Sequence, residues 1–280
     1  MAKVDLHLHS DFSDGSDSVE VLVKKIIKAN IKIFALTDHD TVEGVKQIIK
    51  FLPADIKFLP STELTCESNN IKCHILGYNC NPNSQILLDL IEKGKKLRRK
   101  KLEVRINYLK ETWGIIFEQK ELDWLYSRAS VVKTHLANLI VKRGLAPNNV
   151  SAMKKYLDDC KVKNTRFSIE EAIFAIKESG GIPVWAHPLG GEGEVHIGGE
   201  IFLKNLETMK TLGIKGLECY YSRYNFDEIN FLINCANSNN LLISGGSDYH
   251  GKNKDIPLAK LNCENIFIDS EKLTILDFQI

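Results

Sequence analysis

The chain has 280 residues, of which 44% are hydrophobic and 26% charged, and its formal net charge is +1. That length buries the core of one large domain, the composition speaks against disorder, and near-neutrality argues against a protein that coats nucleic acid through overall charge. No apolar run reaches the roughly 20 residues that cross a bilayer, and the amino terminus lacks the pattern of a secretion signal, so a cytoplasmic protein with no membrane partner is expected. Seven cysteines, none in a C-x-x-C pair, read as reduced thiols rather than a disulfide framework or a zinc knuckle.

In chain order, the apolar runs at 3–9, 31–37, 56–63, 71–78, 182–187, 215–220 and 241–246 read as strands. The stretch 17–29 follows the polar cluster Ser13, Asp14 and Ser16 and has helical spacing. At 168–178, Ser168 and Glu171 form a capping box. Strands alternating with helices predict an α/β fold with a largely parallel sheet, and seven of them suggest a barrel. The alternation stops between about 84 and 166, where helical spacing continues without a convincing strand. This divides the chain into a barrel formed by 1–83 and 167–280 and a helical insertion at 84–166. The insertion's first helix carries the basic run Lys93 to Lys101, which reads as a solvated face. Leu189 to Glu200 contains five glycines and no periodicity, so it is a loop, with a mobile flap and a plain surface connection both open.

Six of the eight histidines lie on, or just after, these apolar runs. In V-D-L-H-L-H the side chains alternate, so Asp5, His7 and His9 share one face. Two imidazoles about 7 Å apart along a strand can hold one metal, with Asp5 a candidate to orient a ring. Asp38, His39 and Asp40 follow the second run and Glu63 ends the third. His74 sits in the fourth, His187 precedes Pro188, and Asp248 and His250 follow the last. The carboxyl ends of parallel barrel strands share a rim, so these groups should converge. Taken singly, His74 reads more simply as a core histidine and Asp14 as a turn residue. Together, so many imidazoles and carboxylates at one rim are costly to bury without a cation.

The ordered segments D-L-H-L-H-S-D-F-S-D-G, T-D-H-D-T, S-T-E-L, H-I-L-G-Y, A-H-P and S-D-Y-H-G resemble the motifs of the polymerase and histidinol phosphatase (PHP) superfamily. Asp14 and the helical insertion are similar to the branch of nucleoside 3',5'-bisphosphate phosphatases and 5'-to-3' exoribonucleases. The resemblance implies a distorted seven-stranded barrel with two to three divalent metals. It implies one held by His7, His9, Glu63 and Asp248, one by Glu63, His74 and His187, and one by Asp14, His39 and His250. Metals so close together can acidify a bridging water, so the expected chemistry is attack on a phosphate monoester of a small nucleotide by a metal-bridging hydroxide held at Glu63 and Asp248, with Asp38 and Asp40 orienting ligands or moving protons.

K-T-H-L-A resembles a family segment in which an arginine and a histidine contact a substrate phosphate, but Lys133 and Thr134 replace its Arg and Pro. Lys133, His135 and Arg98 are the candidate phosphate ligands, with lysine supplying a point charge in place of arginine's fork. Imidazole and carboxylate ligands suit Mn²⁺, Zn²⁺ or Fe²⁺ rather than calcium. The expected partner is a small phosphorylated substrate, or the 5' end of an RNA, and no obligate protein partner is indicated. An amidohydrolase-like hydrolase and a non-catalytic metal-stabilised module stand as alternatives. The first is disfavoured by a basic phosphate pocket, the second by retention of every ligand position.

Overall fold

The computed structural model describes residues 2–277 apart from 69 and 193. Three parallel strands, β1 (Val4–Asp5), β2 (Ile33–Leu36) and β3 (Lys57–Pro60), form one sheet in that order. A second sheet runs β4 (Thr62–Ser68), β5 (Ile71–Tyr78), β6 (Ile182–Trp185), β7 (Gly216–Tyr221) and β8 (Leu242–Gly246). Its first two pairings are antiparallel and its last two parallel. The α/β class holds, but the regular pairing of the described strands gives eight strands in two sheets rather than a closed seven-stranded barrel.

Two local causes account for the difference. The 56–63 run divides at Pro60, which lacks an N–H for a ladder, and at Ser61, whose hydroxyl donates to Leu59 O at 3.0 Å and turns the chain into the second sheet. The first run keeps regular pairing only at Val4–Asp5 because its continuation binds the segment after β8 instead. Leu6 N donates to Gly245 O, Asp248 N to His7 O and His9 N to Tyr249 O, at 3.2, 2.9 and 3.0 Å. These bonds, with isolated bridges at Leu8–Tyr249 and His39–Glu63, bring the two sheets together at the end where the histidines lie.

Helices α1 (Val19–Lys28) and α2 (Glu43–Ile48) cover the first sheet, and α1 is capped by the Ser18 hydroxyl rather than by the upstream polar cluster. The predicted stretch without strands contains α3 (Gln85–Trp113), α4 (Gln119–Tyr126), α5 (Lys133–Lys142) and α6 (Asn149–Tyr156). Leu102, Leu109, Leu125, Leu136, Ile140 and Tyr156 gather into an apolar cluster of their own. Leu87, Leu90 and Ile91 at the start of α3 belong instead to the main core. Gly94 permits this crossing, since a Cβ there would stand 2.5 Å from Phe167 Cζ. The remaining helices α7 (Ile169–Glu178), α8 (Gly199–Leu212) and α9 (Phe226–Ser238) alternate with β6 to β8, and α7 opens with the expected Ser168–Glu171 box.

Candidate metal centre

Glu63, at the start of β4, is the hub. Its Oε2 stands 3.1 Å from His7 Nε2, 3.2 Å from His9 Nε2 and 3.2 Å from His39 Nδ1. Its Oε1 stands 2.9 Å from His74 Nδ1 and 3.2 Å from His187 Nε2. Asp248 Oδ1 faces His7 Nε2 at 3.6 Å and His9 Nε2 at 3.4 Å. Asp14 faces His250 Nε2 at 3.0 Å, His9 Nδ1 at 3.6 Å and His39 Nε2 at 3.7 Å. All nine side chains expected at the rim therefore meet in one cluster. His187 and Asp248 reach it through left-handed backbone, with φ of 29° and 59°. For residues other than glycine such conformations carry a cost that recurs at functional sites.

Five imidazoles around one carboxylate exceed what hydrogen bonding satisfies, since a carboxylate offers about four acceptor sites. His9 Nε2, His39 Nδ1, His74 Nδ1, His187 Nδ1 and His250 Nε2 are buried without a hydrogen-bond partner. Leaving a buried polar atom unpaired costs about 1–3 kcal/mol each, which shared divalent ions would offset. The donor sets also fit: His9, Asp14, His39 and His250 form one, His7, His9 and Glu63 another, and His39, Glu63 and His74 a third. Electrostatics point the same way. Burial pushes the pKa values of His39 and His250 down. At His7 burial is outweighed by the charges of Glu218, Glu63 and Asp248, so its pKa lies well above the ordinary range. Crowded rings that cannot all carry protons are suited to sharing metal charge.

Supporting groups orient this cluster, and several were not singled out in the sequence. Glu218, inside β7, is fully buried. It pairs with His7 Nδ1 at 2.8 Å and accepts the His187 N–H at 2.8 Å, so one carboxylate positions two rim residues. Asp248 accepts from Lys254 Nζ at 2.6 Å and Tyr221 Oη at 3.0 Å. Asp5 touches no imidazole ring. It accepts from Ser247 N, Ser247 Oγ and Ala259 N at 2.8, 2.6 and 2.7 Å, fixing the turn that delivers Asp248. Asp38 accepts from Ser10 N, Ser10 Oγ and Ser13 Oγ at 2.8, 2.6 and 2.6 Å, which shapes the loop bearing Asp14. Asp40 accepts from Thr65 N at 2.7 Å and from Arg98 Nε at 2.7 Å.

A cavity of about 650 Å³ opens over the cluster. Asp14, His39, Glu63, His74, His187, Asp248 and His250 form its floor, while Lys133, Lys154 and Lys254 line it. Lys133 faces the cavity but is ion-paired to Asp158. His135 and Arg98 are not among its lining residues. His135 is buried, its Nδ1 accepts from Val132 N at 3.1 Å, its ring meets Trp124 edge-on at 5.4 Å, and burial lowers its pKa to about 4. Arg98 and Lys101 are inward-facing members of the basic run. Lys93 and Lys95 pair with Glu171 and Glu92 at the surface.

The PHP domain model matches residues 5–141. Over 266 residues the chain is 30% identical to a 5'-3' exoribonuclease of Haemophilus influenzae, covering 91% of this chain and 95% of the relative. The chain belongs to the PHP family. A further relative, the 3',5'-nucleoside bisphosphate phosphatase of Chromobacterium violaceum, is 26% identical over 259 residues, covering 89% of this chain and 88% of its own. A Bifidobacterium adolescentis structure described as a metal-dependent phosphoesterase superposes with a TM-score of 0.83 at 22% identity, covering 99% of this chain and 97% of that one, and so shares the fold. PHP membership makes the chain a metal-dependent phosphoester hydrolase, and the family implies divalent metals that the donor sets above fit. Among the described residues no helix is long and apolar enough to cross a membrane.

Proposed function

We infer that the chain removes a phosphate from a small nucleotide, such as a nucleoside 3',5'-bisphosphate, at the Glu63-centred cluster. The observation that carries this is the juxtaposition of that cluster with a lysine-lined cavity. Ligand sites of this kind typically measure about 300–1,000 Å³. The nine rim side chains would hold two to three divalent ions, with Mn²⁺, Zn²⁺ and Fe²⁺ all suited to the donors. When bound, such ions supply Lewis acidity to phosphoryl oxygens and acidify water.

The chain's own residues do the rest. Glu63 spans the cluster and holds its halves in register. Lys254 and Tyr221 fix the Asp248 carboxylate, and Lys254 stays protonated because the Asp248 and Asp14 charges outweigh its burial. Lys133 and Lys154 offer charge to a second phosphate. His135 and Arg98 would then act from behind, holding the start of α5 and the Asp40 turn. Helices α3 to α6 serve as the substrate-binding part of the molecule. A cytoplasmic location fits the seven free cysteines, five of them buried.

A second substrate reading is supported by the Haemophilus relative's activity, since a pocket for a nucleotide phosphate also accepts the 5' end of a short RNA. Both are tested by incubating the purified chain and Mn²⁺ with adenosine 3',5'-bisphosphate and, separately, with a 5'-phosphorylated oligoribonucleotide. Release of inorganic phosphate from the bisphosphate supports the first reading. Mononucleotides from the oligomer alone would move the assignment to RNA, and no product from either would overturn both.

A further inference from the structure

The loop between β6 and α8 carries a carboxylate that none of the rim motifs contains. We propose that Glu194 is a metal ligand, completing with His74 and His187 a donor set that ties the glycine-rich loop to the metal centre. This rests on the metal-centre reading above. Donor atoms of these three residues lie within 4.8 Å of one another. Glu194 Oε2 stands 3.2 Å from His187 Nδ1, yet that nitrogen, on a side chain only 5% exposed, makes no hydrogen bond. Two ligands of a tetrahedral ion at bonds of 2.0–2.1 Å stand about 3.3 Å apart, a separation that this pair matches.

The loop is built to deliver this carboxylate. Gly190 turns the chain at φ 109°, and Gly191 passes so close to His187 that a Cβ would meet its Nδ1 at 2.8 Å. The Gly191 N–H then donates to Glu194 Oε2 at 2.9 Å. Ile197 N to Leu189 O, at 3.0 Å, closes the base of the loop. Leu189 N donates to Tyr224 Oη at 2.8 Å, and Glu192 N donates to Tyr221 Oη at 3.1 Å, the hydroxyl that holds Asp248. His196 and Glu228 pin the outer side at 2.7 Å. Gly191, Glu192 and Glu194 also line the cavity, so a metal held by Glu194 would tie this wall to the rim.

The test is calorimetric titration of Mn²⁺ into chelator-treated full-length chain, wild type against Glu194→Gln. The glutamine keeps an acceptor for the Gly191 N–H but loses the anionic ligand. The expected result is at least tenfold weaker binding at one site, with the other sites unchanged. Glu194→Asp, which keeps the charge on a shorter stem, should fall between the two and guards against a glutamine variant that folds poorly. Wild-type affinity at every site in the glutamine variant would overturn this inference alone. A wild type that takes up no Mn²⁺ would overturn the metal centre and this inference with it.

Discussion

Replacing Glu218 by glutamine removes one acceptor from a carboxylate that serves two donors. In the wild type one oxygen meets His7 Nδ1 and the other accepts the His187 backbone N–H, both at 2.8 Å. Glutamine has a single carbonyl oxygen. If that oxygen keeps His187, the amide N–H₂ faces His7 Nδ1, and His7 must move its proton to Nε2, the nitrogen that looks toward Glu63 and Asp248. If it keeps His7, the His187 N–H is buried against another donor, at about 1–3 kcal/mol. Either way a rim imidazole loses its orientation or its lone pair. Carboxylates that support a metal ligand are worth about 10–100-fold in affinity, or roughly 1.4–2.7 kcal/mol. Titrating Mn²⁺ into chelator-treated Glu218→Gln, with circular dichroism to confirm folding, should show that loss. Affinity within about twofold of wild type would refute the assignment of Glu218 as the group that fixes the rim.

Other perturbations follow from the same geometry. Asp158→Asn releases Lys133 from its ion pair and should lower KM for a bisphosphate several-fold, while Lys133→Met raises it; steady-state kinetics on both variants checks the pair. Gly246→Ala places a Cβ 2.2 Å from His7 Cβ, and overpacking of this kind costs about 1–3 kcal/mol, read as a lower midpoint in urea together with weaker Mn²⁺ uptake. Burial holds the His135 pKa near 4, below its ordinary 6.5. As pH falls from 6.5 toward 4 the unfolded chain therefore takes up a proton that the folded chain refuses, and stability is lost across that window. His135→Gln should flatten this loss by at most about 3 kcal/mol, measured as urea midpoints against pH.

The rim was legible because its chemistry and its periodicity coincide. The alternation of V-D-L-H-L-H, Pro188 after His187, and the spacing of Asp248 and His250 each put a ligand type where an apolar run ends. Glu218 was equally present in G-L-E-C-Y-Y, and a charge within a buried strand requires a partner, but no short spacing links it to His7. Glu194 lies in a segment without periodicity, so only the backbone path past His187 places it. Gly193 beside it lies outside the described residues. The split at Ser61 and the antiparallel pairing of β4 with β5 were hidden because continuous apolar runs carry no direction. The placement of Arg98 was unreadable for a related reason. Its helical register sends it toward Asp40, while the equally basic Lys93 and Lys95 pair with acids at the surface.

The metal-dependent phosphatase reading is tested most directly by phosphate release from adenosine 3',5'-bisphosphate by chelator-treated protein, measured before and after Mn²⁺ is restored. Release should be negligible without metal and recover on its addition, with Glu63→Ala inactive in both states. Equal release with and without metal, or full activity in Glu63→Ala, would contradict that reading.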